Sequence, residues 1–349
     1  MPLLLSNYLW LTGRIWFAIT IVVKAVKPSL FAKLPNRDKT EFSLPPSQYI
    51  LKTRFLFSIF PTLYPPSATP MALETELTRV IELFQLPFMQ RALMGGVLTG
   101  LMGGLLGSFT ILRQLSFFSD ALGHSALLGI SIGLLLGFDP SWVLLPFAVV
   151  FALVVTYFLE RTQLWTDALL NIIYSSSLAV GIILLSFRDE YQGGITNLLF
   201  GDILAVQTAD LIFGTMLLAV CAGFIGLTLR SQILLTLHEP MAIARGVNVS
   251  AQRTAFIVLL SLVVGISIKA IGVLLISAFV VIPACAARLL SRQFSHYILI
   301  SAGLGAVSAV IGMLLSALFD LPSGPSIVTV QLVIFLMSAL IPTARVLAP

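Results

Sequence analysis

Charge is the scarcest property of this chain. Only 10% of its 349 residues are Asp, Glu, Lys or Arg, while 58% are hydrophobic. A soluble domain carries about a quarter of its residues as charges, so this composition excludes a soluble globule, and a mean hydropathy of +1.02 points to a polytopic membrane protein. Cysteine is almost missing as well. Cys221 and Cys285 both lie inside apolar runs, where a thiol behaves as a small hydrophobe; neither a disulfide framework nor a cysteine metal site is indicated. The three histidines include no His-Glu-x-x-His pattern, which removes the ligand and base set of an intramembrane metalloprotease. No complete P-loop is present either, because no Lys followed by Ser or Thr closes the glycine run near Gly96 to Gly107. Uphill transport would therefore draw on an ion gradient or on a separate ATPase. A net charge of +5 would suggest nucleic acid as the partner of a soluble protein, but here the basic residues fall mostly in loops between apolar runs. They read as topology determinants in a bilayer, with no nucleic-acid partner.

What the chain has in quantity is membrane-length apolar sequence. Spans are expected at about 87–112, 115–137, 140–159, 169–187, 208–229, 254–268, 271–290, 296–319 and 325–345. The sixth is short and is separated from the seventh only by Lys269 and Ala270, with Gly265 and Gly272 close by. These two segments fit either a broken hairpin or two crossings. Residues 1–70 do not match the rest. An apolar stretch interrupted by Arg14 leads into a basic, polar segment and then a proline-rich one holding Pro45, Pro46, Pro61, Pro65, Pro66 and Pro70. One reading is an anchoring helix with a flexible linker. The other, which we favour, is that Met71 is the natural start and the upstream residues are an extended reading frame, leaving 71–349 as the transmembrane domain.

Placing the start of the first strong span outside makes Arg113, Arg161, Arg230, Arg245, Arg253, Arg288, Arg292 and Arg345 cytoplasmic, and leaves Arg188 and Lys269 outside. The positive-inside rule favours this orientation. It puts Asp139, Asp189, Glu190, Asp202 and Asp320 on or near the outer side, where acids draw in cations or are simply solvated. Gly96, Gly100 and Gly104 recur every four residues, with Gly103 and Gly107 beside them. Such a stripe lets helix backbones approach closely, so this face is expected to pack against another helix.

Chemistry concentrates in Phe118-Ser-Asp-Ala-Leu-Gly-His-Ser-Ala-Leu-Leu-Gly129. Asp120 and His124 are one helical turn apart on one face and could share a ligand. Ionisable residues inside an apolar span are expensive, and mark a transport path, a relay or an ion site by default. A carboxylate with an imidazole suits zinc and neighbouring transition metals better than magnesium or calcium. The plainer alternative is that Asp120 caps the helix start and His124 bonds a backbone carbonyl. His238 reads as loop surface and His296 as a helix-start residue. The longest cytoplasmic loop, about 234–253, carries a second signal. Glu239 and Pro240 look like a helix start and Gly246 like its stop, giving a short helix along the membrane face whose small and apolar residues fit a groove on a partner.

These segments, taken in order, resemble the permease subunits of bacterial ATP-binding-cassette importers for zinc, manganese and iron, over residues 84–342. The resemblance is carried by Phe88-Met-Gln-Arg-Ala-Leu93, the Ser119 to Gly129 segment, Leu199-Phe-Gly-Asp-Ile-Leu204, the Glu239 to Gly246 loop, Gly272 to Arg288, and Asp320-Leu-Pro-Ser-Gly-Pro-Ser-Ile-Val328. It implies an all-α permease of the cobalamin-importer type, multi-pass in the bacterial plasma membrane. It also implies a homodimer with two ATP-hydrolysing subunits, and an extracytoplasmic binding protein that delivers the metal. Residues 237–248 would be the coupling helix, with His238, Glu239, Pro240, Ala242 and Gly246 at the ATPase, and Asp120 and His124 would be metal contacts along the path. Leu128 departs from the proline of many relatives without removing either ligand. Ile282 to Arg288, Asp320 to Pro325 and Gly246 to Val249 look more like the zinc members, with manganese as the alternative. No cofactor is expected to be held tightly. A gradient-driven secondary transporter is the reading from another class, but no convincing internal repeat supports it.

Overall fold

The computed structural model describes residues 82–138, 140–162, 164–187, 201 and 203–340, without the side chains of 140–142. The 1–70 segment, Asp139, Asp189, Glu190, Asp202 and Arg345 lie outside the described residues. Within them the chain is all-helical: α1 (Pro87–Leu112), α2 (Phe118–Leu135), α3 (Pro140–Arg161), α4 (Thr166–Leu185), a 3-10 turn (Ile203–Ala205), α5 (Thr208–Leu237), α6 (Glu239–Ala244), α7 (Val249–Ile271), α8 (Val273–Leu290), α9 (Phe294–Phe319) and α10 (Ser323–Leu340). All but α6 and the 3-10 turn are long and apolar enough to cross a bilayer, giving nine candidate spans among the described residues.

The glycine stripe of α1 does what its spacing predicts. A Cβ at Gly100 would strike the backbone of Gly305, and one at Gly104 the carbonyl of Ser301, both on α9. On the neighbouring face, a Cβ at Gly103 would lie 2.8 Å from the Phe279 carbonyl oxygen, and one at Gly107 would strike Val280, both on α8. Missing side chains thus let α1 wedge between two helices at backbone contact. Polar atoms fasten the same seam: Ser301 Oγ donates to the Gly104 carbonyl at 2.6 Å and Tyr297 Oη to that of Ser108 at 3.1 Å. In lipid, where apolar burial gives helices little reason to associate, such close packing and interhelical hydrogen bonds hold a bundle together.

A second group forms around α2. Ser131 donates to the Gly181 carbonyl of α4 at 3.0 Å, and a Cβ at Gly181 would lie 3.0 Å from the Leu128 backbone nitrogen. By contrast, the outward faces of α4 and α5 stay apolar and exposed, with Ile182, Ile183, Phe213, Met216 and Leu227 uncovered in a single chain. Side chains of this kind suit lipid or a second copy.

Three expectations need correction. The sixth span is not short, because α7 has 23 residues and begins at Val249, where Asn248 Oδ1 accepts from the Ala251 amide. Hydropathy alone misses its first turn, since Gln252 and Arg253 break the apolar run while remaining helical. The hairpin reading also gives way to two long helices meeting at Gly272, whose φ of +89° makes the turn that Gly265 and Lys269 do not. Gly201 seats against this junction at a φ of +67°, where a Cβ would strike Ile271 and Gly272. That is the physical reason for glycine in the Leu199 to Leu204 segment. The 234–253 loop shrinks similarly, because α5 continues to Leu237.

Candidate functional site

Asp120 lies in the first turn of α2, which has no side-chain cap at its start. The capping alternative for Asp120 is therefore not what the structure adopts. His124 follows one turn later, with Nε2 3.7 Å from Asp120 Oδ1. This is too long for a hydrogen bond, but it suits two atoms sharing an ion, since ligands about 2.1 Å from a tetrahedral metal lie roughly 3.4 Å apart. Both side chains are about a quarter exposed or less, at 28% for Asp120 and 19% for His124. Tyr174 of α4 fixes the imidazole by an edge contact at 5.0 Å between ring centroids, and is itself met edge-on by Phe117 at 6.0 Å.

Asp120 opens onto a cavity of about 720 Å³ between α2, α4 and α8. Its polar wall is Ser116, Asp120, Asp167, Asn171 and Ser277, and Val281 and Ile282 supply apolar wall. Asp167 and Asn171 escaped the sequence reading. The signal was present, for they stand four residues apart on α4 and so share a face, as Asp120 and His124 do on α2. No group of three or more His, Cys, Asp or Glu residues able to hold a metal occurs among the described residues. Among the described residues, one chain therefore offers the pair and a lined cavity, two donors short of a four-ligand metal cage.

The second predicted site lies where α5 hands over to α7. His238 ends α5 and caps α6, its Nδ1 accepting from the Met241 amide at 3.2 Å. Glu239 and Pro240 open the helix, and the Glu239 carboxylate pairs with Arg253 of α7 at 2.9 Å. Ala242 is fully buried and anchors the inner face. Gly246 closes the turn at a φ of +76°, a conformation that proline is barred from and that costs other residues. Met241 and Ile243 point outward, 47% and 60% exposed. The short helix thus ends where Glu239, Pro240 and Gly246 indicated, and it presents apolar side chains outward. His296 is exposed in the first turn of α9, apart from both sites.

Below α6 a polar knot joins three helices. Arg113, in the strap between α1 and α2, donates from Nε to Thr236 Oγ1 at 3.1 Å and from Nη2 to the Gln232 side chain. Gln232 in turn donates to Gln252 Oε1 at 2.8 Å. Burial, with Arg253 adding repulsion, pushes the Arg113 guanidinium down to about 10, so it remains a cation at neutral pH.

Among the described residues, nine membrane-length apolar helices, glycine-seated packing and a short capped helix between two spans describe a helical membrane bundle, and comparison with known proteins gives its kin. Residues 85–342 match the family described as ABC 3 transport family. This chain belongs to the ABC 3 transport family. It is the membrane-spanning permease of an ATP-binding-cassette transporter, with the all-α architecture expected from the resemblance. The Listeria monocytogenes protein named manganese transport system membrane protein MntC is 31% identical over 258 residues, 74% of this chain and 92% of that protein. The Haemophilus influenzae protein named high-affinity zinc uptake system membrane protein ZnuB is 29% identical over 247 residues, 71% of this chain and 95% of that protein. Among solved structures, PsaBC from Streptococcus pneumoniae in complex with Fab superposes with a TM-score of 0.68 at 30% identity, covering 78% of this chain and 98% of the other.

Proposed function

We propose that this permease imports a divalent transition metal, zinc or manganese, into the bacterial cytoplasm, driven by ATP hydrolysis on a partner subunit. The observation that carries the reading is the Asp120 and His124 pair beside a polar-walled cavity, with ligand atoms 3.7 Å apart. Subfamily likeness favours zinc, but relatives carry both manganese and zinc in their names, and a pair of one carboxylate and one imidazole accepts either ion. A second copy of the chain, bringing its own pair, would raise the donor number of the path.

The mechanism follows from what each part offers. An extracytoplasmic binding protein delivers the ion to the outer mouth, and Asp120 and His124 take it transiently, in a site weak enough to release it. The ATPase docks on α6 through Met241 and Ile243. ATP binding then biases the bundle between outward-open and inward-open arrangements.

The test is uptake of zinc and of manganese in bacteria lacking their own importers, with the chain expressed beside its ATPase and binding protein. Accumulation of either ion, falling roughly tenfold or more in His124→Ala while the complex still copurifies, is the expected result. Undiminished uptake in that variant would remove His124 from the path.

A further inference from the structure

We infer that Arg113 is the positioning residue through which α6 governs the start of α2, an inference that rests on α6 being the ATPase-docking helix. The geometry places it at the only described strap between α1 and α2, residues 113–117. Upstream, its guanidinium is held by the last two turns of α5 through Thr236 and Gln232, and through Gln232 by Gln252 of α7. These are the two helices that flank α6. His238 is shared between α5 and α6, and Arg253, next to Gln252, pairs with Glu239 of α6. Displacing α6 therefore moves the frame that holds Arg113.

Downstream, the strap is short and tightly turned. Gln114 takes a left-handed φ of +58°, rare for a residue with a side chain, and the Leu115 amide returns to the Thr110 carbonyl at 2.9 Å. Asp120 stands seven residues after Arg113 and His124 one turn further. With so little slack, a shift of the guanidinium carries to the first turn of α2. The rings of Phe256 and Phe109, 4.5 and 5.7 Å from Arg113 Cζ, hold the cation at a fixed height between α1 and α7.

One atom of this arrangement is left without a partner. Arg113 Nη1 is buried and has no hydrogen-bond partner among the described residues. A buried donor left unmade is costly, more so when charged, so a shift of strap against α5 that gives Nη1 an acceptor is favoured by that bond. A coupling route requires an element with two settings, which both ends can bias.

The experiment is hydrogen exchange on the complete complex of permease, ATPase and binding protein, with and without a non-hydrolysable ATP analogue. In the wild type, exchange in both 239–246 and 113–124 responds to the nucleotide. In Arg113→Gln the response at 113–124 is lost and that at 239–246 persists, and reconstituted complex transports at least about fivefold fewer zinc or manganese ions per ATP hydrolysed. Arg113→Lys, which keeps the cation without the fork, recovers part of both. Should Arg113→Gln not assemble, Thr236→Val removes one acceptor with little change of shape and is expected to weaken the 113–124 response. A response at 113–124 that survives in the assembled variant overturns the role of Arg113 alone. Silence at both segments in the wild type overturns the docking role of α6, and the inference with it.

Discussion

Replacing Gly104 with alanine adds one methyl group where two helices touch backbone to backbone. The same substitution at Gly303, on α9, meets nothing within 4 Å. In a helix interior alanine is favoured over glycine by about 0.8–1.0 kcal/mol, so Gly303→Ala should stabilise the fold by roughly that amount. At Gly104 the added Cβ strikes the Ser301 carbonyl, and a main-chain atom cannot swing aside as the end of a side chain can. Forcing α1 from α9 costs about 1–3 kcal/mol as overpacking. It also strains the 2.6 Å bond from Ser301 Oγ to the Gly104 carbonyl, an interhelical bond worth about 0.6 kcal/mol. After crediting the propensity gain, Gly104→Ala should be less stable than wild type by about 1–2 kcal/mol, and roughly 2–3 kcal/mol below Gly303→Ala. Thermal unfolding of the purified permease in nanodiscs, followed by tryptophan fluorescence, reads the difference directly. Equal midpoints for the two variants would refute the claim that the glycine stripe is a contact surface.

Two further outcomes follow from the site geometry. Asp167→Asn keeps the shape of the cavity wall but removes a charge opposite Asp120, and should lower the rate of metal uptake about threefold to tenfold at unchanged ATPase binding, the size expected for a supporting residue; uptake equal to wild type at limiting metal would separate Asp167 from the path. Glu239→Arg sets two cations together at α6 and should lower ions transported per ATP, whereas the swap Glu239→Arg with Arg253→Glu should restore most of the loss, since the pair is partly exposed and itself contributes only about 0.2–1 kcal/mol. Failure of the swap to restore coupling would mean that Glu239 touches the ATPase directly.

How much of this was legible in the residues depends on whether neighbours along the chain suffice. The α1 stripe was, because one glycine every four residues has a single geometric meaning on a helix. So were the bounds of α6, since Glu239-Pro240 and Gly246 are local start and stop signals. The Asp120 and His124 pair was placed on one face by spacing alone. Hydropathy failed where polar residues stay helical: Arg230 to Thr236 and Gln252 to Arg253 read as loop, yet they continue α5 and begin α7, where Gln232 bonds Gln252 and Arg253 pairs with Glu239. Arg113 reads only as a topology marker, and Asp167 draws no reading at all. The partners of Arg113 lie more than a hundred residues away, and Asp167 shares a cavity with a residue more than forty positions away; no periodicity encodes proximity at that range.

The length of α5 reaches beyond the bundle. Its 30 residues span about 45 Å, against a hydrocarbon core of roughly 30 Å. Unless strongly tilted, the helix leaves some 15 Å of its length outside the oily layer, and α6 hangs from that end. The proposed docking face is thereby carried to headgroup depth, where exposed Met241 and Ile243 could meet a protein surface instead of dissolving in acyl chains. Bilayer thickness then becomes a control on the complex. Thicker membranes draw α6 toward the lipid and thinner ones push it away, so transport should depend on lipid chain length even when every side chain is unchanged.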